Sequence, residues 1–262
     1  MTEPGPGTTG VQLESNGRMR LSDVGFLWIV GALACVCSSA QVVHPVTPVE
    51  QRSGSYIAFK FDWDQGRPWM KYTISVDDAG KAHFDGVGHP EESGDSDNYT
   101  QEFTVTDACR QKLFELAKRT DYFESVPEIK QKNIAKTGQK TLEYHKGGEN
   151  DASAVTSATY NYSTSPDVQE LTRTFQAIAM TMDFGRKLAF DYRFNKLGLD
   201  ARLNSLQEMQ KAHFVEELQA IEPILTKIAN DPNIMHINQV AAKQLLKTIG
   251  PTVPMSPAPS QP

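Results

Sequence analysis

Two groups of side chains carry most of the chemistry this sequence offers. Trp63, Arg67, Trp69 and Tyr72 fall in one short stretch, with Phe84 close behind. Aromatic faces beside a guanidinium can hold a glycan or a peptide when they stand exposed on a sheet. The same residue types also fill sheet cores, and both readings apply here. The loop Asp62–Pro68 (DWDQGRP) is the most suggestive part, since it sets Trp63 between two acids and near Arg67. The second group is His83, Asp85 and His89. Alternate residues of a strand share a face, so His83 and Asp85 could form a metal pair, with His89 or one of Glu91 and Glu92 completing it. The plainer reading is a solvated strand face running into a loop, because no recognised ligand spacing is present.

Further candidates are weaker. Glu91, Glu92, Asp95, Asp97 and Asn98 offer oxygen ligands, but EESGDSDN does not follow the order of a calcium-binding EF-hand loop. Gly147-Gly148 lies between two expected strands and reads as a turn, not a phosphate cradle before a helix. Neither G-x-S-x-G nor H-E-x-x-H occurs. His145 could face Ser153 across a hairpin, yet a His–Ser pair without an orienting carboxylate is a poor nucleophilic site. Cys109 falls on the apolar face of an expected helix, where burial raises a thiol pKa. No cofactor is expected.

These residues need elements to position them. Apolar alternation predicts strands at Tyr56–Asp62, Trp69–Val76, Lys81–Val87 and Tyr99–Val105, with a turn at Asp77–Gly80. Thr106 is an N-cap for a helix from Asp107 to about Lys118. Gln139–Lys146 and Ala152–Tyr160 pair as a hairpin. Ser165-Pro166-Asp167 starts a long helix with Val168, Leu171, Phe175, Ile178 and Met182 on one stripe, Gly185 being a point where it could break. After Gly198 the pattern is all helical: Asp200–Lys211, then Glu217–Ala229 with Pro223 either in the first turn or at a kink. A last helix is expected from Asp231-Pro232, with Ile234, Ile237, Ala241 and Leu245 inward. The expected fold class is α+β: a mostly antiparallel sheet of about six strands covered by helices, followed by an all-helical C-terminal part.

The address comes from Met19–Gln41, MRLSDVGFLWIVGALACVCSSAQ. Arg18 and Arg20, the apolar run Val24–Cys37 and the small residues Ser38-Ser39-Ala40 have the order of a secretory signal peptide cut before Gln41. The run is shorter than the about 20 residues a spanning helix needs. An uncleaved anchor through residues 24–43 remains open, as does lipidation at Cys35. Residues 1–18 are polar and read as a disordered leader or as an extension before a true start at Met19. The expected organisation is therefore a signal peptide at 19–40, a linker at 41–55, an α+β domain at 56–197, a helical C-terminal subdomain at 198–250, and a Pro-rich tail at 251–262. With 26 basic and 32 acidic residues and no basic cluster, a nucleic-acid partner is not expected. Of three cysteines, two lie in the export segment, so Cys109 has no internal disulfide partner after cleavage.

Several stretches are similar to a group of exported, uncharacterised bacterial proteins found in acidobacteria-like genomes. They are YTISVDDAGKAHFDG, FTVTDACRQKLFELAKRTDYF, KLGLDARLNSLQEM and ELQAIEPILTKIANDP. The resemblance covers roughly residues 55–250, and its motifs are turns, caps and apolar stripes. It implies an exported α+β protein and brings no catalytic residues with it. The expected function is a non-enzymatic binding or interaction module of the cell envelope, periplasmic or secreted, with an envelope protein or a glycan as partner. A membrane is a partner only if the signal segment stays uncleaved. The rival expectation is an envelope hydrolase with a site assembled from distant residues.

Overall fold

A computed structural model of the chain describes residues 54–63, 65–88, 98–124, 126, 135–147 and 154–249. Six strands form one antiparallel sheet: β1 (Tyr56–Asp62), β2 (Trp69–Asp77), β3 (Lys81–Gly88), β4 (Asn98–Thr104), β5 (Gln139–His145) and β6 (Val155–Tyr160), in the spatial order β4-β3-β2-β1-β5-β6. The first four make a meander. The β5–β6 hairpin then adds to the free side of β1, so β1 becomes an inner strand. The β2–β3 turn closes as expected at Gly80, whose φ of 86° suits a residue without Cβ.

Because strand side chains alternate, the register sorts the sheet into two faces. On the inner face one row across the sheet is Phe84, Ile74, Phe59, Leu142 and Ala158, all buried. The neighbouring row is Tyr99, Gly86, Tyr72, Phe61, Lys140 and Tyr160. The outer face carries Lys60, Thr73, His83, Asp85, Glu102 and Glu143, with a Lys60–Glu143 ion pair of 2.5 Å.

Two helices cover the inner face. Helix α1 (Asp107–Arg119) is capped by Thr106, whose hydroxyl accepts from Cys109 N–H at 3.2 Å, and it buries Cys109, Leu113, Leu116 and Ala117. Helix α2 (Pro166–Phe194) starts at the expected Ser-Pro-Asp signal and lays Phe175 against Phe59, ring centroids 5.2 Å apart. It does not break at Gly185. That glycine is a point of close approach, since a Cβ there would stand 2.5 Å from Ile221 Cγ2.

The second half of α2 supports a further apolar cluster. It packs with α3 (Leu199–Lys211), a 3-10 turn (Leu218–Ile221), α4 (Glu222–Asn230) and α5 (His236–Thr248) around Leu188, Leu203, Ile221, Leu225, Ile228 and Leu245. Pro223 sits in the first turn of α4, where a missing N–H costs nothing. Two expectations fail in the last helix. It begins at His236 rather than Asp231-Pro232, because Asp231 instead stops α4 and folds a turn, its carboxylate accepting from Asn233 N–H at 2.8 Å. That shift rotates the helix, so Ile237 is 60% exposed and Asn238 takes the inward position. Among the described residues no helix is long and apolar enough to cross a membrane.

Candidate functional site

The register and the run of α2 leave a cavity at an edge of the core. It has a volume of about 440 Å³, within the range usual for small-ligand sites. From the sheet side it is walled by Phe61, Trp69 and Tyr72, and from the β1–β2 loop by Arg67 and Pro68. Helix α2 contributes Arg173, Gln176, Ala177, Ala179 and Met180, the end of α3 adds Met209, and the connection after it adds His213 and Phe214.

Trp69 is 1% exposed and is fixed on three sides. Its indole N–H donates to the Ala179 carbonyl of α2 at 2.9 Å, its ring meets Phe84 at 5.0 Å, and the Arg186 guanidinium lies 5.4 Å from the ring centre. A buried indole N–H needs such an acceptor, and here it ties the start of β2 to the helix. Tyr72 is 6% exposed, and its hydroxyl makes no hydrogen bond among the described residues. Burial, and then the nearness of Tyr160, push its phenol well above the ordinary tyrosine range. It is a neutral donor in a mostly apolar wall.

The mouth is built from a strained connection. His213 (φ 57°) and Glu217 (φ 59°) are non-glycine residues in the left-handed region, and between them Phe214 is 62% exposed at the rim of the cavity. Such conformations persist only where neighbours hold them. Glu217 accepts from Thr106 N–H at 2.6 Å and from its hydroxyl at 2.8 Å, while the Glu216 carbonyl accepts from Thr181 at 2.6 Å. The Glu216 carboxylate pairs with Arg173 at 3.0 Å. The connection is therefore pinned to α1 and to α2 at once.

Of the first sequence-derived group, Arg67, Trp69 and Tyr72 come together in this cavity. They do so from the inner face of the sheet and not from an exposed outer face. Trp63 is partly buried against the core, its backbone N–H donating to the Met70 carbonyl at 2.8 Å, and it does not line the cavity. Phe84 is wholly buried behind Trp69. Of the second group, His83 and Asp85 lie on the outer face. His83 Nδ1 pairs with Glu102, and Asp85 accepts from Thr100 at 2.9 Å. His89 and the acidic stretch 91–97 lie outside the described residues. No cluster of three or more His, Cys, Asp or Glu suited to a metal ion occurs among the described residues. His145 is stacked on Tyr56 at 4.1 Å and pairs with Glu143 at 3.1 Å, while Ser153 lies outside the described residues. Cys109 is buried, and burial followed by the charges of Glu217 and Glu216 pushes its thiol upward, away from reactivity.

Sequence reasoning missed Met180 and Met209, which come from helices distant in the chain, and Phe214, which comes from the connection after α3. It also passed over Lys140, which the strand parity of Lys140, Leu142 and Tyr144 puts on the inner face. A lysine in phase with core residues was the available signal. No known family model matches the chain, and none of the curated proteins is significantly similar to it.

Proposed function

We propose that this chain is an exported, non-enzymatic binding module of the bacterial cell envelope that holds a small, largely apolar molecule in the cavity beside Trp69. The observation that carries the reading is the wall itself. Phe61, Trp69, Tyr72, Met180, Met209 and Phe214 supply aromatic and thioether surface, and Tyr72, Arg67, Arg173, Gln176 and His213 supply polar groups. That mixture is the usual composition of a small-molecule site. Methionine adapts its shape to a guest at little cost, which suits binding. The cavity wall includes no Ser, Thr, Cys, Asp or Glu among the described residues, so a hydrolase reading lacks a nucleophile and an orienting carboxylate at this place. The export part of the reading rests on Met19–Gln41.

The test is a fluorescence titration of the purified protein with neutral phenylnaphthylamine, which brightens in apolar surroundings. Saturable binding at one site is expected, with Trp69 emission changing in parallel. Met180→Trp, which fills the cavity, should abolish it, and Phe214→Ala, which removes part of the rim, should weaken it. Absence of saturable binding, or binding that neither substitution alters, would contradict the proposal.

A further inference from the structure

A second, polar hollow of about 270 Å³ adjoins the apolar cavity, and the two share Arg173 and Gln176. Its wall includes Thr137, Lys140, Tyr160, Ser163 and Thr172. Lys140 is the unusual member. It is only 5% exposed, and it stands on the inner face of the sheet between Phe61 and Tyr160. Its ammonium lies among four acceptors: the carbonyls of Gly138 at 3.1 Å, Asn161 at 3.0 Å and Thr137 at 3.3 Å, and the Thr137 hydroxyl at 3.0 Å. No carboxylate pairs with it among the described residues. The other cation of the hollow, Arg173, is already matched by Glu170 at 2.8 Å and Glu216 at 3.0 Å.

Buried cations are ordinarily paired, because an isolated charge taken out of water is costly. Burial alone pulls the Lys140 ammonium below its ordinary pKa. Neutral oxygens solvate this charge without cancelling it, so the hollow keeps a net positive centre. That centre lies beside a wall of the apolar compartment, Lys140 Nζ being 5.8 Å from the centre of the Phe61 ring. The phenols of Tyr72 and Tyr160, one from each compartment, are near enough for one to affect the other. Tyr160 is itself bonded to Thr172 at 2.6 Å.

We infer that the ligand is a single-chain amphiphile with a carboxylate head, its chain lying in the apolar cavity and its head in the polar hollow, where it takes one of the three Lys140 N–H donors from a neutral oxygen. The inference rests on the binding reading above and adds the charge and the orientation of the ligand. Charge complementarity selects an anionic head, taken here in its simplest form as a carboxylate: it would supply the counter-charge that Lys140 lacks, which an alcohol or an amine cannot do.

The experiment compares dodecanoate with dodecanol as competitors of phenylnaphthylamine, using wild type, Lys140→Met and Lys140→Arg. Wild type should prefer the acid by about tenfold or more, the usual worth of a hydrogen bond to a charged group. Lys140→Met should abolish or reverse the preference for the acid, since a carboxylate buried without its counter-charge is costly, and Lys140→Arg should retain the preference. Equal competition by acid and alcohol in wild type would overturn the inference while leaving the cavity reading standing. A preference that survives Lys140→Met would overturn it as well. If Lys140→Met does not fold, the wild-type ratio decides alone. Failure of phenylnaphthylamine itself to bind would instead bring down the cavity reading.

Discussion

Gly185 carries a constraint opposite to the one its residue type implies. In a helix interior glycine is a weak point, and alanine is the better former by about 1 kcal/mol. Here the helix passes so close to Ile221 that a methyl group would meet Cγ2 at 2.5 Å. Overpacking a filled site costs about 1–3 kcal/mol, so Gly185→Ala is expected to lower stability by up to about 2 kcal/mol. In an Ile221→Ala background, where that carbon is gone, the same substitution should become neutral or stabilising. Urea unfolding of the four proteins reads the cycle. An equal gain in both backgrounds would show that the contact does not govern the residue. Lys140 teaches the same lesson from the other side. Read as one residue of a polar-looking strand it says nothing, and only its parity with Leu142 and Tyr144 places it inward.

At the scale of elements, local signals were legible wherever they were complete. The strand alternations, the Thr106 cap and the Ser165-Pro166 start each hold a full set of physical cues within a few residues, and each appears where expected. The start of the last helix was not legible. Asp231-Pro232 is a good helix opening in isolation, but the Asp231 side chain is engaged with Asn233 and with Tyr192 of α2 at 3.0 Å. The cavity was legible only in part. Arg67, Trp69 and Tyr72 lie close in sequence, whereas Met180, Met209 and Phe214 reach the same place through tertiary packing that no periodicity encodes. The export segment is an element whose reading has its own test. In a bacterium with a working export pathway, intact mass should give a soluble envelope species beginning at Gln41. A membrane-bound species that keeps Leu21–Ala40 would contradict the proposed address.

For the molecule as a whole, α2 is the shared support. Its first half closes the sheet through Val168, Leu171, Phe175 and Ile178, and its second half carries the C-terminal helices through Phe184 and Leu188. The cavity lies where α2, the inner sheet face and the end of α3 meet. Its most rigid side, the Trp69 indole bonded to Ala179, comes from the sheet and α2. Its rim comes from the strained connection that carries Phe214. This division gives a firm wall opposite an aromatic edge exposed to solvent. The central claim is that this place, and not the solvated sheet face, takes the ligand. The most direct measurement is a chemical-shift map of the isotopically labelled protein titrated with dodecanoate, following the indole N–H and the methionine methyl groups. The account predicts saturable shifts at the Trp69 indole, Met180 and Met209, with Trp63 little affected. Shifts confined to the outer strands around His83 and Asp85, or none at Trp69, would contradict it.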